Sequence, residues 1–123
     1  MSDRIRELVK SVEAQGVDSP YLERLRRPRG QAEAAIASLQ HEIVGEMAAS
    51  LGRAEDHINE ALLRLDLLGR ELDRGERPEL VAAFNAQRKV AERRVWELRV
   101  QREALGIRRN EMLAKLYPIP PRR

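Results

Sequence analysis

The chain has 123 residues, the size of one domain, and 35% of them are charged while only 3% are aromatic. It contains no cysteine, which excludes disulfides, thiolate metal sites and cysteine nucleophiles. The net charge of +3 is too modest to argue for nucleic acid by itself, and no run approaches the ~20 apolar residues that span a bilayer.

The opening Met1-Ser2-Asp3-Arg4-Ile5-Arg6 lacks the apolar core of a signal peptide, so the expectation is a cytoplasmic protein with no membrane partner. Residues 3–15 predict a short amphipathic helix, because Ile5, Leu8, Val9 and Val12 recur at helical spacing. Ser2 or Asp3 is placed to cap its start, and Gly16 to stop it. Ser19 followed by Pro20 signals a second start, and a helix over about 20–27 carries Leu22 and Leu25. Pro28 and Gly30 end it.

A long helix is expected over about 31–74. Its stripe is Ala32, Ile36, Leu39, Ile43, Met47, Ala54, Ile58, Ala61, Leu65, Leu68 and Leu72. Gly45, Gly52 and Gly69 weaken it by roughly 1 kcal/mol each, and a bend near Gly45–Gly52 is its main risk. The turn Gly75-Glu76-Arg77-Pro78 leads into another long helix over about 78–117, striped by Leu80, Phe84, Ala91, Val95, Leu98, Leu105, Met112, Leu113 and Leu116. Pro118 stops it, and 118–123 form an extended Pro/Arg tail. The reading is all-α: two short helices in residues 1–30, a helical hairpin in 31–117, and the tail.

Folding at the turn brings Leu72 to Val81, Leu65 to Arg88, Ile58 to Val95, Ala54 to Leu98, Met47 to Leu105 and Leu39 to Leu113. Apolar meets apolar at nearly every level. The two arms differ in charge: residues 31–75 hold 4 Arg/Lys against 9 Asp/Glu, and residues 76–123 hold 12 against 6. Arg88, Arg102 and Arg109 fall in the apolar stripe, their stems along the seam and their heads reaching outward, with Glu42 and Glu46 opposite Arg109 and Glu46 and Glu55 a turn either side of the level of Arg102.

Some apolar residues are left over. Trp96, Val100 and Ile107 lie away from the seam, and Leu51, Leu62 and Val44 widen the other arm's apolar face to about 140°. Short N-terminal helices do not cover so long a rod, so a homodimer in a four-helix arrangement is predicted, with Trp96, Val100, Ile107, Leu51 and Leu62 at the interface.

No constellation points to catalysis, a cofactor or a metal. His41 and His57 lack the Glu three residues earlier that a di-metal bundle uses, and no phosphate loop, dinucleotide turn or serine elbow is present. The expectation is a non-catalytic helical adaptor or scaffold that acts by protein–protein contact and self-association. The alternative is nucleic-acid binding through Lys89, Arg93, Arg94 and Arg108, with Arg24, Arg26, Arg27 and Arg29 enlarging the patch. The tail fits a Pro-x-x-Pro-x-Arg pattern, so Pro118, Pro121 and Arg123 are candidates for docking to a partner groove.

Overall fold

The computed structural model describes residues 2–27 and 42–123, with side chains described from residue 46 onward in the second stretch. All regular structure among them is helical: α1 (Asp3–Ala14), α2 (Pro20–Arg26), α3 (Glu42–Arg74), α4 (Pro78–Ala104) and α5 (Met112–Leu116). The expected stop at Pro28–Gly30, the helix start near Gln31, and the Leu39–Leu113 pairing lie outside the described residues, as do Arg29, His41 and the side chains of Glu42, Ile43 and Val44. None of the helices in the described residues is long and apolar enough to cross a membrane.

The N-terminal helices begin and end where local chemistry directs. The Ser2 hydroxyl accepts from the Ile5 N–H at 3.3 Å, and the Ser19 hydroxyl accepts from the Tyr21 N–H at 3.3 Å, so each satisfies an otherwise orphaned donor. Pro20 opens α2, where its missing N–H costs nothing. Gly16 adopts φ +69°, and the Gly16 N–H donates to the Glu13 carbonyl at 3.0 Å, closing α1 in a left-handed cap.

Helices α3 and α4 form the antiparallel hairpin, about 50 Å and 40 Å long. Three contacts set their register within about a turn of the expected one. A Cβ on Gly69 would stand 3.6 Å from the Phe84 ring. The Gln87 amide donates to the Ala61 carbonyl at 3.2 Å, and the Ser50 hydroxyl lies 3.4 Å from Gln101 Oε1. Between them, Ala54, Ile58, Leu65 and Leu72 bury against Phe84, Ala91 and Leu98.

Two departures from the expected fold have clear causes. First, α4 ends at Ala104 instead of running to 117. Gly106 adopts φ +86°, its N–H donates to the Glu103 carbonyl at 3.0 Å, and the Ile107 N–H donates to the Arg102 carbonyl at 2.9 Å. This pair of bonds is a Schellman stop, set by a glycine inside an otherwise regular apolar stripe. The chain then turns back, so Leu113 and Tyr117 join the hairpin core from α5 and its flank.

Second, the N-terminal helices cover more of α3 than their length suggested. Ile5, Val9, Val12, Leu22 and Leu25 make a second core with Leu63, and Leu67 packs beside it. From Ile58 to Leu68 seven of the eleven residues of helix α3 are apolar and they fall on more than one side of it, the pattern of a helix covered on more than one side. Leu62 is covered as well, at 2% exposure in the main core, so its expected role at a dimer interface is corrected.

Two substitutions test these features. Leu63→Ala opens a cavity between the N-terminal helices and α3 and is expected to lower unfolding free energy by about 2–5 kcal/mol in urea. Gly106→Ala meets no atom within 4 Å, so its cost is one of backbone conformation only. It is expected to be about 1–2 kcal/mol by the same measurement.

Candidate functional site

Helix α4 offers the clearest free surface. Lys89, Arg93, Trp96 and Val100 fall at i, i+4, i+7 and i+11, one outward face of the helix. Trp96 is 61% exposed and Val100 43%, while Val90 lies on the flank. Ile107 does not extend this strip, because it follows the Gly106 stop and is half-buried there. Leu51 is half-buried against the main core. The predicted set of five therefore separates: Trp96 and Val100 remain together at the surface, Leu51 and Ile107 are at the margins, and Leu62 is interior.

The charges on α4 are largely answered along the helix. Arg93 and Arg94 both bond Glu97, at 3.3 and 3.1 Å. Arg99 bonds Glu103 at 3.0 Å, and Arg88 bonds Glu92. None of these pairs crosses the seam. Two of the arginines placed in the seam stripe bond groups in their own half of the chain. The Arg88 Nε donates to the Pro120 carbonyl at 2.7 Å, and the Arg102 Nε donates to Asn110 Oδ1 at 2.7 Å. Arg109 is exposed beyond the end of α4, where the chain has already left the helix. Of the four candidate nucleic-acid contacts, Lys89 and Arg108 are exposed and make no ion pair among the described residues.

The C-terminal tail lies on its own hairpin. The Arg123 guanidinium sits 5.4 Å from the Phe84 ring centre and donates to Asp73 Oδ1 at 3.1 Å. The Arg123 N–H donates to Asn85 Oδ1 at 3.0 Å, and Ile119 packs on the core. Pro118 and Pro121 are both exposed, and Pro118 lies at the rim of a groove with Tyr21, Leu62 and Phe84.

At the other edge, Arg24 joins three parts of the chain. It lies between the Tyr21 and Tyr117 rings, at 5.4 and 5.5 Å from their centres, and donates to the Leu116 carbonyl at 2.7 Å and to Asn59 Oδ1 at 3.4 Å. Of the other basic residues expected to enlarge a nucleic-acid patch near α2, Arg26 pairs with Glu13 and Glu23.

A second polar cluster lies between α1, α3 and α4. Glu60 is 6% exposed, yet it carries a carboxylate. Two Arg4 nitrogens hold it at 2.8 and 2.9 Å, and two Arg64 nitrogens at 3.1 and 3.4 Å. These charge-assisted bonds offset the cost of burying the carboxylate. With His57, Ala61, Gln87, Val90 and Arg94, these three residues line a cleft of about 190 Å³. The His57 Nδ1 is buried and has no hydrogen-bond partner, and it lies 3.9 Å from the Glu60 carboxylate. No group of His, Asp and Glu among the described residues is arranged to hold a metal ion.

Sequence reasoning singled out neither Arg4 nor Glu60. The available signal was a glutamate flanked by Ile58, Ala61, Leu62 and Leu63, a position where a charge needs partners.

Residues 18–122 match the model of a family of unknown function, DUF6665. The chain belongs to this family. No curated protein and no solved structure matches it. The match begins at Asp18, so it takes in α2 and the whole hairpin but leaves α1 outside.

Tyr117 provides a pH readout of the Arg24 junction. Burial pushes its hydroxyl up to about 12 from 10.0, with Glu55 acting in the same direction and Arg24 opposing. The folded state thus favours the neutral phenol. Its stabilising contribution is complete below pH 10 and is lost as pH rises toward 12. Urea unfolding of Tyr117→Phe is expected to show a shallower loss of stability over that window than the parent chain.

Proposed function

We propose that this chain is a non-catalytic helical adaptor that works by protein–protein contact, including contact with a second copy of itself, through the outer face of α4. The observation that carries this reading is Trp96, 61% exposed beside Val100 on a helix whose opposite face is committed to the hairpin. A large aromatic in water next to an aliphatic neighbour is a common mark of an interface, and Trp and Arg are enriched among residues that dominate binding energy. Arg93 and Lys89 flank it on the same face. Because Arg93 is paired with Glu97, the face presents an apolar centre within a partly neutralised rim. Two such faces packed together would give a four-helix arrangement with two-fold symmetry.

Sedimentation at micromolar concentration tests the reading. The parent chain is expected to exceed its monomer mass of 14.1 kDa. Trp96→Ala is expected to weaken association by about 30-fold or more while circular dichroism stays unchanged. A monomer at all concentrations removes the self-association, and an unchanged assembly in Trp96→Ala removes this face. Nucleic-acid binding through Lys89, Arg93, Arg94 and Arg108 is the competing outcome. It would appear as co-purifying absorbance at 260 nm and as binding that falls steeply with salt.

A further inference from the structure

The Glu60 cleft has more positive charge than its own carboxylate needs. Arg4, Arg64 and Arg94 line it against the single carboxylate of Glu60. Arg94 also bonds Glu97 at 3.1 Å, and counting that charge as well still leaves one cation in excess. The donors are likewise only partly used. A guanidinium carries five N–H groups in a planar fork. Arg4 and Arg64 each spend Nε and one terminal nitrogen on Glu60, leaving the second terminal nitrogen of each. Arg94 spends one terminal nitrogen on Glu97.

These groups come from three separate helices. Arg4 is on α1, His57, Glu60 and Arg64 are on α3, and Arg94 is on α4. Glu60 fixes two of the guanidinium groups in place, so their free edges are oriented before any ligand arrives. Guanidinium forks match the spacing of phosphate oxygens. The cleft volume of about 190 Å³ is below the roughly 300 Å³ at which drug-sized pockets begin. It suits a group of a few heavy atoms.

We propose that the cleft between α1, α3 and α4 is a binding site for a phosphate-class oxyanion, held by Arg4, Arg64 and Arg94. The ligand is either free inorganic phosphate or the terminal phosphoryl group of an ester whose remainder stays outside. The site is independent of the contact face at Trp96.

Calorimetric titration of the full chain with inorganic phosphate and with glycerol 3-phosphate, at constant ionic strength, tests this. Saturable binding of either supports the site, and the tighter of the two identifies the source. Arg94→Gln is expected to weaken binding by about tenfold or more, with an unchanged unfolding midpoint in the absence of ligand, since Arg94 does not support Glu60. Arg108→Gln, on an exposed residue outside the cleft, is expected to leave binding unchanged. Absence of binding to both compounds at tens of millimolar would overturn the proposal. Equal weakening in Arg94→Gln and Arg108→Gln would overturn it too, because it would mean general attraction to a basic chain.

Discussion

Helix α3 is apolar on more than one side between Ile58 and Leu72, and the rest of the molecule is arranged to keep water from those sides. One side takes α4 through Phe84, Ala91 and Leu98. Another takes α1 and α2 through Ile5, Val9, Val12, Leu22 and Leu25, centred on Leu63. Tyr117 and Ile119, from the returning chain, join the core on the α4 side. Each buried aliphatic side chain contributes on the order of 1.5–3 kcal/mol. A bare two-helix hairpin would leave the Leu63 side in water. The short helices are thus part of the fold that makes the hairpin stable, and their helicity in turn depends on it, since segments so short are marginal alone.

Polar groups appear where the apolar sides of α3 meet. Asn59 and Glu60 are both nearly fully buried, and each is met by arginine from an N-terminal helix: Arg24 from α2 and Arg4 from α1. A buried carboxylate without a partner would cost several kcal/mol, so these bonds also fix how α1 sits on α3. The charge asymmetry of the two long arms has a different structural use from the one their composition suggests. The arginines of α4 mostly bond glutamates three or four residues away on the same helix. Exposed pairs of that type contribute only about 0.3–0.5 kcal/mol each. They leave an α4 outer face that is weakly charged for its composition, and this is why Trp96 and Val100, more than the basic residues around them, define its character.

The parts of the fold that follow from local rules were legible in the sequence. Ser2, Ser19, Pro20, Gly16 and Pro78 each mark a helix boundary through capping or backbone chemistry, and the structure has a boundary at each. The seven-residue spacing of Ile58, Leu65 and Leu72 against Phe84, Ala91 and Leu98 is enough to pair the long helices. Other features were harder to see for physical reasons. Gly106 sits inside a stripe that continues at Met112 and Leu113, and periodicity alone does not reveal that the chain reverses between them. Leu63 and Leu67 belong to a second face, which a search for one stripe passes over. Long-range polar partners such as Arg4 with Glu60, or Arg24 with Tyr117, are separated by tens of residues and follow from packing and not from any local motif. The candidate site was legible only at Trp96 and Val100, whose spacing on α4 does not depend on distant contacts.

The account rests on α1, α2 and α3 being one cooperative unit. Native-state hydrogen exchange, resolved by residue, measures this directly. Amides of α1 from Ile5 to Val12 are expected to exchange through the same opening reaction as those of α3 from Ile58 to Leu68, with similar protection that falls together in urea. Rapid, urea-independent exchange across α1 and α2 while α3 stays protected would contradict it.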